Sequence, residues 1–349
     1  MVRRVVLFWI VLCSVFLSAD PLQYLVRTTP TATALDTHTG AATVWYSGDD
    51  NSVSANIGFS FPFNGSTYTS VNINSNGMLS FSSSNTEYVN KALTYNDEPQ
   101  SIYPYWDDMF PPGLLGLDPH PIRYETLGSE DSERFVVTWS DMPRCSLITI
   151  DLLGVKVCLV AAGSYTFQTV LYKNGDIRFR YPNTGSNDAH GASATIGAQE
   201  NTTNYDQYSY NTSSIDQTFD ILYSYLPSIS VSKTSCVIND PVNGTSNPKR
   251  IPGSTIRYAI QVSNSTYGTA SNVFATDTVD SSAFDTSTIQ YLQIQSGTCD
   301  CTGVSSADNN GPGGSADGVN PVILDYGSLT GVVGGIPTYK CGYFEVDVK

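Results

Sequence analysis

The chain has 349 residues, 32 of them acidic against 17 basic, for a formal net charge of −15. A surface that negative repels phosphate backbones, which excludes nucleic acid as a partner and leaves an extracellular protein, a glycan or a divalent cation. Only 14% of the residues are charged, few for a cytosolic protein, while Tyr, Thr, Ser, Asn and Gly abound, a composition that favours exported β-structure.

Residues 1–19 read as an export signal. Arg3 and Arg4 form the positive start, residues 5–17 an apolar run, and Ser18-Ala19 the small residues before cleavage at Asp20. The run is shorter than the roughly 20 residues of a spanning helix, and no other stretch is long and apolar enough, so no transmembrane segment is expected in the mature chain. Six cysteines then remain: Cys145, Cys158, Cys236, Cys299, Cys301 and Cys341. An even set in an exported chain reads as disulfides. Cys145 and Cys158 are expected to pair. The other four allow three pairings, and Cys299 and Cys301, too close for an easy mutual bond, should each reach to Cys236 or Cys341. Zinc is disfavoured because no Cys-x-x-Cys pair occurs.

Taken in order, residues 20–50 are a lead-in and an edge strand that holds Trp45 and Tyr46. Ile57, Phe59, Phe61 and Phe63 then alternate on one face, with Pro62 marking an edge or bend. Asn64-Gly65 turns the chain, and residues 71–74 and 78–81 form a second hairpin about Asn76-Gly77. Residues 102–110 are apolar but contain Asp107 and Asp108, and a Pro/Gly-rich loop runs over 111–121. Two further strands, 123–127 and 134–140, put Phe135, Val137 and Trp139 on one side, and residues 147–160 are strand-like. Residues 165–181 carry the clearest pattern of all: Phe167, Thr169 and Leu171 face one way, then Ile177, Phe179 and Tyr181 do so after Asn174-Gly175. That Asn-Gly pair is expected to supply the two positive-φ positions of a tight turn. Residues 194–198 and a Tyr/Asn/Ser tract to about residue 221 complete the first part.

At Leu226-Pro227 the texture changes. Strands are expected at 229–234 and 255–263, the latter with Ile256, Tyr258, Ile260 and Val262 on one face and Thr255, Arg257, Ala259 and Gln261 on the other. More follow at 272–279 and 289–294, a Gly/Asp/Asn loop spans 303–318, and strands at 322–326 and 342–348 close the chain. No helical periodicity with caps occurs. The expected fold is all-β, with two tandem β-sandwich domains, residues 20–226 and 227–349, the second immunoglobulin-like in its count of about seven strands.

The ordered series Phe59-Ser-Phe-Pro-Phe63, Asn74-Ser-Asn-Gly-Met-Leu-Ser-Phe81, Tyr103-Pro-Tyr-Trp-Asp-Asp108, Arg134-Phe-Val-Val-Thr-Trp139 and Phe167–Ile177 resembles a β-sandwich module related to the nidogen-like domain, over about residues 45–225. Residues 229–349 resemble a repeat domain of unknown function from bacterial surface proteins, through Ser232-Lys-Thr234, Pro252–Asn264, Ala270-Ser-Asn-Val273 and Thr276-Asp-Thr278. The likeness implies display and adhesion and supplies no catalytic residues.

The residues themselves offer little chemistry. His38, His120 and His190 sit in no zinc-type pair and beside no nucleophile turn, and read as loop histidines. Asp107 and Asp108 are the best carboxylate pair, but neighbours on a strand point to opposite faces and cannot flank one glycosidic bond. Calcium suits them better if the backbone turns there; otherwise Trp106 is core and one Asp caps a turn. Asp308 and Asp317 bound a second oxygen-rich loop, which lacks the EF-hand pattern and holds ordinary turn residues. Lys233, in the first strand of the second domain, is either an exposed lysine or the amine of a Lys–Asn or Lys–Asp isopeptide bond. Asn64, Asn201, Asn211, Asn243 and Asn264 begin Asn-x-Ser/Thr triplets, which matter only if the source glycosylates them. Tyr205, Tyr208 and Tyr210 either line a sugar-binding surface or are plain strand residues. The expected function is a secreted or cell-surface structural and adhesion module, non-catalytic. A carbohydrate-binding surface protein is the alternative, and a secreted hydrolase comes third.

Overall fold

The computed structural model describes residues 22–349, apart from 23, 30–33, 97, 114–116, 146–148, 153–154, 159–160, 183–190, 216–218, 303, 306–312, 315 and 333–335. For residues 145, 149–152, 155–158 and 161–164 it describes the backbone alone. The export signal, His190 and Asp308 therefore lie outside the described residues, as do the side chains of the expected Cys145–Cys158 bond. The chain divides between Tyr225 and Leu226 into two compact units. Both are built of antiparallel strands, and no α-helix occurs among the described residues.

The first unit runs through β1 (Tyr24–Thr29), β2 (Thr43–Trp45), β3 (Ser52–Phe63), β4 (Ser66–Asn74), β5 (Met78–Ser80), β6 (Ser101–Trp106), β7 (Ile122–Leu127) and β8 (Arg134–Cys145). It continues through β9 (Thr149–Leu152), β10 (Val155–Cys158), β11 (Ala161–Tyr172), β12 (Ile177–Tyr181), β13 (Thr195–Asn201), β14 (Asn204–Tyr210) and β15 (Phe219–Tyr225). A seven-stranded sheet in the order β1-β15-β12-β11-β8-β7-β2 packs on a six-stranded one, β14-β13-β6-β5-β4-β3, while β9 and β10 form a separate hairpin. The period-two pattern sets the register: Thr169 faces Phe179, Leu171 faces Ile177, and Phe167 faces Trp139 across the ladders.

These inward residues make an aromatic core between the sheets. Trp139 stacks on Phe167 at 4.9 Å, and Phe167 on Tyr105 of the opposite sheet at 5.4 Å. Buried polar tips need partners in so dry a place. Trp139 Nε1 donates to the Asn74 carbonyl at 3.1 Å and Tyr181 Oη to the Pro104 carbonyl at 2.5 Å, each bond crossing between sheets.

The turns depart from expectation in one respect. Only at Asn64-Gly65 do both residues take positive φ, 46° and 77°, as a two-residue hairpin loop demands. At Asn174-Gly175 only Gly175 does so. Its N–H donates to the Tyr172 carbonyl at 2.8 Å, so the loop is a type I turn closed by a left-handed glycine, one residue longer than expected.

The second unit contains β16 (Ile229–Asn239), β17 (Thr255–Asn264), β18 (Ala270–Asp277), β19 (Phe284–Ser296), β20 (Val322–Leu329) and β21 (Thr338–Val348). It is a two-sheet sandwich of six described strands, with β16-β17-β21-β19 on one side and β18-β20 on the other. Ile260, Val262, Tyr291, Leu324, Tyr326 and Phe344 fill the space between the sheets. The other face of the four-stranded sheet is buried too. Ala259, Leu292, Cys341 and Tyr343 pack there under Val304 and Cys299. Cys236–Cys301 and Cys299–Cys341 are disulfide-bonded, so the neighbouring cysteines do reach to different partners, and the bonds hold this loop over the sheet.

Candidate functional site

Asp107 and Asp108 follow β6 in a bend, and the structure sends them to different places. Asp107 is buried. Its Oδ2 accepts from Ser193 Oγ at 2.6 Å and lies 3.4 Å from Arg144 Nη1. Burial pushes its carboxyl above the usual range, outweighing the Ser193 hydrogen bond and the Arg144 charge. It joins the end of β6 to β8. Asp108 instead meets Asp49 and Asp50 of the β2–β3 loop, with one oxygen of each carboxylate within 4.8 Å of the others. Buried Asn76, in the β4–β5 turn, organises the group: its Nδ2 donates to Asp50 Oδ1 at 3.0 Å and its Oδ1 accepts from the Met109 N–H at 3.0 Å. Three carboxylates suit a hard cation in charge but supply three of the six to eight oxygens that calcium takes. Of the pair expected at Asp107 and Asp108, the structure places Asp108 with Asp49 and Asp50, and Asp107 with Arg144 and Ser193.

Of the second calcium candidate, Asp308 lies outside the described residues and only Asp317 can be placed. Asp317 Oδ1 accepts the Tyr291 N–H at 2.9 Å, which ties its loop to β19 across 26 positions. The tyrosines also part company. Tyr205 packs against Met78, Leu93, Tyr103 and Trp106, and Tyr208 lies 5.9 Å from the Phe219 ring, which leaves Tyr210 as the exposed member. A bulge in the pairing of β13 and β14 falls at Tyr208 and sets Tyr205 and Tyr210 opposite Gln199 and Thr195, which share a face, so Tyr208 is the member set apart.

Sequence reasoning missed a third constellation. His38 Nε2 lies 2.8 Å from Thr138 Oγ1 and its Nδ1 3.1 Å from Glu125 Oε1, the hydroxyl–imidazole–carboxylate order that activates a nucleophile. Thr138, however, is buried on the outer face of the seven-stranded sheet, and its hydroxyl also accepts from Gln168 Nε2 at 2.9 Å. Its own proton then goes to His38 Nε2, and Nδ1–H points to Glu125. Alongside, the Asp36 backbone exchanges two hydrogen bonds with the Gln168 amide, and the Asp36 carboxylate pairs with Arg134 at 2.9 Å and Arg180 at 3.2 Å. The whole array straps residues 36–39 across the sheet. Neither a period of two nor any spacing announces it, because its partners lie about 90 to 145 positions apart.

No helix among the described residues is long and apolar enough to cross a membrane. No curated protein and no solved structure matches the chain. Residues 24–225, the whole strand-bearing extent of the first unit, match the family described as NIDO related. That match spans more than half of the chain, and the protein belongs to the NIDO-related family.

Proposed function

We propose that this protein is an exported, non-catalytic structural and adhesion module of the cell surface or matrix, with an extracellular protein or glycan as partner. The observation that carries the reading is the NIDO-related identity of residues 24–225. Two disulfides in the second unit support it, since such bonds persist where the medium is oxidising. We take the second unit as one copy of the bacterial surface repeat that its sequence resembles. Its non-catalytic character is supported by how the polar groups are used: Asp107 is tied to Arg144 and Ser193, and Thr138, His38 and Glu125 to the strap. The Asp49, Asp50 and Asp108 loops are the part of the first unit suited to a cation or a cationic partner group.

Fractionating the native source and sequencing the N-terminus tests the reading. The protein is expected in the surface or extracellular fraction, starting at Asp20. Recovery in the cytosol with Cys236, Cys299, Cys301 and Cys341 as titratable thiols would overturn it.

A further inference from the structure

Lys233 lies on β16 with its side chain 27% exposed. It pairs with Ile260 across the β16–β17 ladder, and residues opposite each other in an antiparallel pair point to the same face. Ile260 belongs to the core between the two sheets, so the Lys233 side chain is aimed inward from an edge strand. There it runs over an aromatic floor. Its Nζ is 4.1 Å from the Tyr258 ring centroid and 5.7 Å from that of Phe344, two rings stacked at 5.1 Å. It ends directly against Oδ2 of Asp277, the buried last residue of β18 in the other sheet. The pair sits in a groove of about 460 Å³ whose walls include Ile260, Ala275 and Arg250. Asp277 Oδ2 accepts no hydrogen bond in the structure, so its contact with Nζ lies outside ordinary hydrogen-bond angles.

We propose that Lys233 and Asp277 are joined by an isopeptide bond that links β16 to β18 across the sandwich. The two groups carry every atom that the reaction needs. One ammonium proton passes to the carboxylate along their contact, an exchange that takes the charge off buried Asp277, while the Lys233 side chain is 27% exposed. The Nζ lone pair then attacks Cγ and forms the C–N bond. The Cγ–O bond to the protonated oxygen breaks, and that hydroxyl leaves with a second nitrogen proton as water. An ammonium and a carboxylate thus become one amide and one water, with no oxidant and no co-reactant. In bulk water the balance lies near neutrality, but two groups held in contact react as if at effective concentrations on the order of 10⁵–10⁸ M.

Placement gives the bond a purpose. β16 is an edge strand with a single ladder partner. Cys236, three positions after Lys233, points to the opposite face and ties β16 to Cys301 there. With the amide, the strand that opens the second unit is held covalently on both faces. The inference stands on the second unit alone and does not depend on the partner or the location of the protein.

Intact mass after full reduction decides the matter on the wild-type chain. The mass is expected to fall short of the sequence mass by one water, and tandem spectra of a digest should show a branched peptide that joins positions 233 and 277. Lys233→Arg keeps the cation but cannot form the link, so it should restore the full mass. A reduced wild-type chain at full mass overturns the proposal. So does a water loss mapped elsewhere, for instance to a succinimide at Asp317-Gly318.

Discussion

The Asp36 strap can be tested by removing its carboxylate. Asp36→Ala takes one partner from Arg134 and one from Arg180, whose side chains are 27% and 6% exposed. Arg180 would keep Gln168 Oε1 and Tyr172 Oη, each at 3.3 Å, but would lose the carboxylate that now lies 3.2 Å from its Nη1. Breaking a buried pair costs about 3–5 kcal/mol, because a charge is left in a poor dielectric. Asp36 is itself 17% exposed and Arg134 more so, which lets solvent screen part of the loss. The expected cost is about 2–3 kcal/mol, or about 4–12 °C in a unit of this size. Trp45, Trp106 and Trp139 are the tryptophans after the signal and all lie in the first unit, so fluorescence follows that unit alone. Asp36→Leu with Arg180→Met removes the stranded charge together with its partner and should recover most of the loss. A double variant no more stable than Asp36→Ala would refute the argument, since the cost could not then be the unpaired arginine.

Acid should act on the same strap. Burial holds the His38 imidazole below its usual pKa despite Glu125, so the unfolded chain binds the proton more readily. Its contribution is complete above about pH 6.5 and is lost as pH falls below that, and His38→Gln should flatten this part of the fluorescence-detected stability curve. Asp36 follows lower down: burial raises its pKa, but the Arg134 hydrogen bond and the Arg180 and Arg134 charges outweigh burial and hold the carboxyl below its usual range. Its contribution is present above about pH 4 and lost as pH falls further. At the loop end, calcium should raise the first unit's melting midpoint and Asp108→Asn should abolish the rise, while a midpoint indifferent to calcium and chelator removes the cation reading. In the second unit, Glu345→Gln strips the counter-charge from almost fully buried Arg257, 2.6 Å away, and should cost about 3 kcal/mol by calorimetry.

Period two told which side of each strand faces in, and the structure agrees from Phe167 to Tyr181. It could not tell what covers the other side. Gln168, Thr138 and Arg180 alternate correctly as outward residues, yet all three are buried, because the 36–39 strap lies over them. Hydrogen bonds between distant polar groups leave no periodic trace in a sequence. The same limit governs the acidic site. That Asp107 and Asp108 diverge follows from their adjacency, whereas the meeting of Asp108 with Asp49 and Asp50 depends on how three loops gather at one end of the sandwich. Lys233 was legible in part. Counting two positions forward along β16 from Val231, which pairs with core residue Val262, puts it on the inward face, but only the fold brings Asp277 to its tip.

The two units hold together by different means, and the difference is itself testable. The first buries many aromatic rings between a seven-stranded and a six-stranded sheet. The second sets a two-stranded sheet against a four-stranded one and covers the outer face with a loop, not with a third layer. A small apolar core leaves little surplus over chain entropy, which is where covalent ties contribute most. Cys236 and Cys301 are 65 positions apart, and closing such a loop removes about 4 kcal/mol of unfolded-chain entropy on the chain-entropy account. Serine at both positions should therefore destabilise the second unit by up to about that much. The tryptophan-reported transition of the first unit, which contains neither cysteine, should stay where it is. If the paired substitution shifted the tryptophan transition and left the second unit's calorimetric peak in place, the disulfide would not be the element that compensates for the thin core.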